Sequence, residues 1–443
     1  MRALKHRNFQ LFFGGQLISL VGTWMQSVAQ SWLVYRLTGS ALLLGSVGFA
    51  SQIPVFLAAP LGGTVADRTN RHRVIVITQT ASMILALILA ILTLSHMVKV
   101  WHIFVLAALL GLVNAFDIPG RQAFLVDMVG KEDLMNAIAL NSSMFNGARI
   151  IGPAVAGILV AHIGEGWCFF ANGISYIAVI VGLLLMTIHC PPRSKTDSPL
   201  EDIKEGFRFV SKTKPIRALL MLLGLVSLVG MPYVVLMPVF ADRVLHGGAR
   251  GLGILMGSTG VGALLGAFTL ALRDGVKGLG RLVALMCGAF GVSLVLFSFS
   301  TNFWLSAFLL LPVGFAMMLQ MASSNTLIQS MVPDALRGRV MALYSMMFMG
   351  MAPFGALFGG AMADHLGAPI TVAIGGAASV LGAIAFWRAL PSFRVEARAL
   401  ILAQGVAGGE PAGGMTARLT AEVAVDQPAA VMELEKEEEE LRS

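Results

Sequence analysis

Charge is scarce in this chain. Asp, Glu, Lys and Arg make up 12% of its 443 residues, while 56% are hydrophobic and the mean hydropathy is +0.80. Soluble domains carry roughly 25% charged residues, so a soluble globular fold is excluded. Cysteine is almost absent. Cys168, Cys190 and Cys287 share no spacing, which excludes a disulfide framework and a zinc site. Strands of alternating polarity are missing, so of the two backbones that lipid tolerates, helices and closed barrels, only helices remain. No nucleophile elbow, phosphate loop or metal-ligand cluster occurs. The sequence therefore predicts no enzyme, no metal and no cofactor. The net charge of +7 is scattered over short loops, which is no footprint for nucleic acid. An acidic residue at the centre of an apolar run is also missing.

Apolar runs are abundant. About 20 such residues span a bilayer as a helix, and the runs place twelve helices near 9–33, 41–64, 74–95, 101–121, 137–163, 167–188, 216–241, 250–272, 279–299, 303–325, 338–363 and 367–389. The N-terminal run lacks a small-residue cleavage site and contains Gln16, Gln26 and Gln30, so it reads as an uncleaved first helix. Alternate loops hold 26 of the Lys and Arg residues and the other set holds four, Arg36, Lys99, Arg243 and Arg250. The positive-inside rule then puts both termini in the cytoplasm, which requires an even number of spans.

The longest loop divides six helices from six. The expected organisation is an N-terminal bundle at 1–188, a linker at 189–215, a C-terminal bundle at 216–390 and a disordered cytoplasmic tail at 391–443 rich in Ala, Gly, Pro and Glu. In the linker, Ser198-Pro199-Leu200-Glu201 is a capping-box pattern with Pro at the first helical position. Leu200, Ile203, Phe207 and Val210 follow at helical spacing, predicting an amphipathic helix on the membrane face or a solvated linker helix. The halves repeat. A shift of 203 residues lays Ser142, Met144, Phe145, Gly147, Gly152, Gly157, His162 and Gly164 on Ser345, Met347, Phe348, Gly350, Gly355, Gly360, His365 and Gly367. Repeats of this kind build transporters whose site lies at the repeat interface.

The densest charge lies in Gly63-Thr64-Val65-Ala66-Asp67-Arg68-Thr69-Asn70-Arg71-His72-Arg73, between the second and third apolar runs. Charge alone there satisfies the positive-inside rule. The spacing Gly-x-x-x-Asp-Arg-x-x-Arg goes further and resembles the signature loop of the major facilitator superfamily. Two other stretches, Asp117-Ile118-Pro119-Gly120-Arg121-Gln122-Ala123-Phe124 and Asn146-Gly147-Ala148-Arg149-Ile150-Ile151-Gly152-Pro153-Ala154-Val155-Ala156-Gly157, resemble its drug:proton antiporter branch with twelve helices. So does Val332-Pro333-Asp334-Ala335-Leu336-Arg337-Gly338-Arg339. The resemblance spans residues 5–390. It implies an all-α integral membrane fold of two pseudo-symmetric six-helix bundles. It also implies a cytoplasmic latch between the halves at Gly63, Asp67, Arg68, Arg71, Asp117, Arg121 and Arg339, and an antiporter-like motif at Arg149, Gly152, Pro153 and Gly157. Asn70 stands where the family usually has Gly, and His72 where it has a cation.

The first helix carries Gln16, Ser19, Thr23, Gln26, Ser27 and Gln30 within an arc of about 100°. Such a stripe avoids lipid. It lines a cavity, or it bonds to a neighbouring helix. Gln52, Tyr233 and Gln320 are candidates for the same substrate cavity, with Trp24, Phe49 and Met231 as apolar wall. Asp117 and Arg149 both lie 15 residues inward of their helices' outer ends, about 22 Å deep. That suggests an ion pair, the other reading being that Asp117 meets the basic residues of the 68–73 loop. For proton coupling Asp117 is the first candidate and Asp242 the second. The expectation is a monomeric exporter of amphipathic small molecules, of drug or siderophore class, in the bacterial inner membrane, with protons as coupling ion. A lipid flippase of the same fold and a non-transporting membrane sensor are the alternatives.

Overall fold

A computed structural model describes residues 2–130, 132–187, 199–273 and 275–403; at Asp67, Arg68, 199–204, Asp334 and a few others it describes backbone alone. The Ser198 capping box, the side chains of Leu200 and Ile203, and the tail at 404–443 therefore lie outside the described residues. Everything described is helix, turn or short connection. α1 (Arg7–Thr38), α2 (Ala41–Arg68), α3 (Arg71–Leu94), α4 (Val100–Val129), α5 (Leu134–Ile163) and α6 (Glu165–Leu184) form the first half, and α7 (Pro199–Lys212) lies in the linker. The second half begins with α8 (Lys214–Leu225) and α9 (Pro232–Val239). It continues through α10 (Gly248–Ala271), α11 (Leu279–Ser298), α12 (Phe303–Met331), α13 (Asp334–Met349), α14 (Met351–Leu366) and α15 (Ala368–Ala403).

Among the described residues, eleven spans are long and apolar enough to cross a membrane. α1 has 32 residues but its Gln, Ser and Thr lower its hydropathy, so a twelve-span count is consistent. Two spans are assembled from pieces. α8 and α9 are joined by a wider π turn at Val226–Gly230, and a second follows at Phe240–Val244. Pro232 and Pro238 withhold the N–H that a regular ladder needs, and Met231 and Leu245 reach back instead to the carbonyls of Val226 and Phe240, at 3.0 and 2.9 Å. α13 and α14 part at Gly350, three residues before Pro353. The last helix corrects the sequence reading. It runs on through Pro391 to Ala403, where the change of composition had placed the start of the tail.

α1 ends at Gly39, whose left-handed φ of 63° turns the chain into α2. We call this the far side, and the side with the N-terminus and α7 the basic side. In the first half α1 packs on α5 and α6, α2 on α4, and α3 on α4 and α6; in the second, α12 packs on α10 and α11, and α11 on α15. Two seams join the halves, α2 with α14 and α5 with α10. At their glycines both bring backbone against backbone. A Cβ added to Gly157 would lie 2.9 Å from the Cα of Gly253, and one on Gly360 would lie 3.0 Å from the Cα of Gly45. Gly157 and Gly360 are 203 residues apart, so the internal repeat places the same residue at each seam. Gly152 against Trp24 and Gly355 against Ser227 repeat in the same way.

The seams occupy the far side only. One large core cluster unites far-side residues of α1, from Met25 to Tyr35, with most of the second half. The basic end of the first half makes a separate core of Phe9, Phe12, Ile75, Phe124, Leu125, Val179 and Leu183. Between these halves the close approaches reach mid-depth, where Phe56 of α2 abuts Gly350. Beyond it, a side chain built on Gly63 or Gly147 would meet nothing within 4 Å, and Ser142, Ser143 and Ser345 are exposed. The halves are joined on the far side and parted on the basic side.

Candidate functional site

Where the halves converge, a cavity of about 40 Å³ is lined by Trp24, Arg149, Pro153, Tyr233, Val234, Met237, Met256 and Thr259. Its walls come from α1, α5, α9 and α10. Gly152 lets α5 lie against Trp24, and Pro153 follows it without an N–H to satisfy. The Arg149 guanidinium lies over the Trp24 ring, 5.7 Å from its centroid. The Trp24 ring in turn meets Phe145 edge-on at 5.6 Å. Tyr233 is 2% exposed, packs edge-on against Phe290 at 6.2 Å, and its hydroxyl has no hydrogen-bond partner among the described residues.

The structure thus brings together Arg149, Pro153, Tyr233 and Trp24. Gly157 serves the α5–α10 seam one turn further out. The polar stripe of α1 divides. Gln26 accepts a 2.7 Å hydrogen bond from the side-chain amide of Asn172 on α6 and so serves packing, whereas Thr23 is exposed and donates to the Ser19 carbonyl of its own helix at 2.9 Å. Gln16 is buried, and its amide oxygen has no partner. Ser27 is exposed, while Gln30 and Gln52 are half-buried. Gln320 is 1% exposed with neither side-chain oxygen nor nitrogen partnered, beside equally unpartnered Ser323 and Ser324. Gln16, Gln52 and Gln320 do not line the cavity between Trp24 and Tyr233.

The suggested ion pair between Asp117 and Arg149 does not form. Asp117 pairs with Arg121 one turn along α4, at 2.6 Å. It also accepts hydrogen bonds from the Thr78 hydroxyl at 2.8 Å and the Gln79 amide at 2.9 Å. The depths of the two charges match but their faces do not. Asp117 looks toward α3, whereas α5 turns Arg149 toward α1.

At the signature loop, Arg71 is buried and bonds the Asp127 carboxylate and the Ala123 carbonyl of α4, at 3.0 and 3.2 Å. These bonds lie within the first half. His72 donates to the Leu183 carbonyl at 2.7 Å, again inside that half. Arg339 pairs with Glu205 of α7. The side chains of Asp67 and Arg68 lie outside the described residues.

The far side carries a contact that the sequence reading missed. Asp364, at the end of α14, caps the start of α2. Its Oδ1 accepts from the Ala41 and Leu42 amides at 2.8 and 3.2 Å, and its Oδ2 from the Ser40 hydroxyl at 3.0 Å. Arg243 donates to the Gly39 carbonyl at 3.0 Å and lies over the Tyr35 ring. A signal was available, because Gly62-Gly63-Thr64-Val65-Ala66-Asp67 and Gly359-Gly360-Ala361-Met362-Ala363-Asp364 share Gly-Gly-x-x-Ala-Asp. Asp242 is exposed at the same far mouth, on the rim of a polar hollow shared with Trp32, Tyr35, Arg36, Gly39 and Arg243.

Comparison with known proteins adds the following. A family model described as transmembrane secretion effector matches residues 1–404. The staphyloferrin A transporter of Staphylococcus aureus is 27% identical over 382 residues, covering 85% of this chain and 94% of the relative. The multidrug efflux pump Tap of Mycolicibacterium fortuitum is 28% identical, covering 78% and 87%. The enterobactin exporter EntS of Escherichia coli is 26% identical, covering 85% and 89%. Among solved structures, the nucleoside transporter NupG superposes with a TM-score of 0.69 at 15% identity, over 86% of this chain and 98% of that one. A bacterial homolog of the human lysosomal transporter Spinster, inward-facing and unoccupied, gives 0.61 at 16% identity, over 90% and 97%. These two likenesses concern the fold.

Proposed function

We propose that this chain, which belongs to the transmembrane secretion effector family of the major facilitator superfamily, exports amphipathic small molecules of the drug or siderophore class by alternating access. Relatives named as a staphyloferrin A transporter, a multidrug efflux pump and an enterobactin exporter support the substrate class. The observation that carries the mechanism is the arrangement of the halves. They meet through glycine seams and the Asp364 cap on one side, part on the other, and enclose a cavity at the junction.

The basic side is the cytoplasmic side in this reading, supported by the bias of 26 against four Lys and Arg residues. The conformation is then inward-facing, ready to load from the cytoplasm. Export requires the cap and both seams to open while the basic side closes. Closure brings Asp67 toward the start of α13, where a carboxylate gains about 0.3–1 kcal/mol from the helix dipole, weak enough to be broken in each cycle. The proposed driving force is proton antiport. Its candidate is Asp117, a carboxylate 2% exposed and held by Arg121, Thr78 and Gln79. Asp242, exposed at the far mouth, is the second candidate.

Transport in inside-out vesicles with an imposed pH gradient tests this. Wild-type vesicles are expected to accumulate a siderophore or drug when the lumen is acid, and Asp117→Asn vesicles are not. Accumulation indifferent to the gradient would remove proton coupling and leave export standing.

A further inference from the structure

We propose that Arg149 is the anion-recognition residue of the central site, and that the exported substrate carries a carboxylate beside an aromatic or apolar body. This deepens the export reading and rests on it.

Arg149 is the cation that lines the junction cavity, and among the described residues no carboxylate pairs with it and no acceptor bonds it. Asp117, the acidic group at the same depth, is taken up by Arg121, Thr78 and Gln79 on the α3 side. None of the eight lining residues is acidic. A charge held at mid-membrane faces a cavity and meets a partner there, and the partner missing from the protein is supplied by the cargo. The geometry favours this. The guanidinium carbon lies over the Trp24 ring at 5.7 Å, a cation–π contact that leaves its N–H donors available for a two-oxygen acceptor. The Tyr233 hydroxyl, buried and unpartnered across the cavity, offers a further donor. Val234, Met237 and Met256 supply apolar wall for the remainder of the molecule. One guanidinium matches the single charge of a carboxylate, whereas a phosphate monoester would bring more charge than the site neutralises. The same positive field repels lipophilic cations, so the site selects against a common class of drug.

The repeat sharpens the assignment. Residue 149 plus 203 is Ala352, so the second half has no counterpart, although Gly152 and Gly157 do. Packing at the seam does not need the arginine.

The experiment is equilibrium binding and vesicle uptake with three probes: an amphipathic aromatic monocarboxylate, lysophosphatidic acid and ethidium. Wild type is compared with Arg149→Gln, Arg149→Lys and Trp24→Leu, with thermal stability recorded for each. The wild type is expected to bind the carboxylate at least tenfold more tightly than either other probe. Arg149→Gln should lose at least tenfold for the carboxylate and nothing for ethidium, Arg149→Lys should regain part of it, and Trp24→Leu should weaken it. Tighter binding of lysophosphatidic acid or ethidium by the wild type would overturn the proposal, as would an unchanged carboxylate affinity in Arg149→Gln. Should Arg149→Gln fail to fold, the wild-type ranking and Arg149→Lys decide. Wild-type uptake of ethidium alone would sink the carboxylate and keep export, whereas no uptake of any probe would sink export itself.

Discussion

Asp117 and Arg149 lie at equal depth on consecutive helices, and one of them is neutralised within the protein while, among the described residues, the other is not. Depth was legible from the sequence, because a helix rises about 1.5 Å per residue. Azimuth was not, because it depends on which neighbours each helix acquires. α4 gained α3 on the Asp117 face, with Thr78 and Gln79 in reach; α5 gained α1, and Arg149 met Trp24. The same blindness divided the α1 stripe, in which Gln26 turned to Asn172. Breaking a buried pair by removing one partner costs about 3–5 kcal/mol. Asp117→Asn is therefore expected to lower the thermal stability of the purified protein by about that amount. Adding Arg121→Gln should restore most of it without restoring gradient-driven uptake. Unfolding curves of the two variants check this, and a double variant no more stable than the single one would contradict it.

At the scale of elements, α2 and α14 run side by side with the motif Gly-Gly-x-x-Ala-Asp at the end of each. On the far side the Asp of α14 caps the start of α2, donated to by two amides and a hydroxyl. The corresponding Asp67 ends α2 on the basic side. On the proposed reading of Asp67, one helix pair carries a carboxylate device for each of its ends. Capping and charge–dipole interactions of this kind contribute about 0.5–2 kcal/mol, so Asp364→Ala is expected to raise the far-side-open population several-fold. In a background without the three native cysteines, Thr259→Cys in the cavity should react faster with a membrane-impermeant maleimide applied from the far side when Asp364→Ala is present. An unchanged rate would show that the seams alone hold that side shut. Elements were mostly legible. Runs of apolar residues located the spans, but the cap joins residues more than 300 positions apart and left only its repeated motif in the sequence. Pro391 was read as the limit of the last span, yet α15 passes through it, since a proline removes one hydrogen bond and leaves the turns on either side intact.

For the whole molecule, the distribution of Lys and Arg predicts which side each loop faces. Applied to intact cells, an impermeant thiol reagent should label Met97→Cys, exposed at the turn between α3 and α4. It should leave Ser211→Cys at the end of α7 unlabelled until the membrane is opened, and the reverse pattern would invert the orientation. The repeat was legible at this scale because its glycines cannot be exchanged where two backbones touch, and Gly157 and Gly360 mark equivalent places in the two seams. Those seams also bear on how fast the molecule works. Interlocked side chains resist sliding like the teeth of a ratchet, since each must find a new rotamer before the next notch engages. Where glycine backbone lies on backbone there are no teeth. Those stretches of the two seams are plain bearings between the halves, and in the proposed cycle the speed is set by what grips at the rims, the carboxylate at one end and the cargo in the middle, rather than by friction along them.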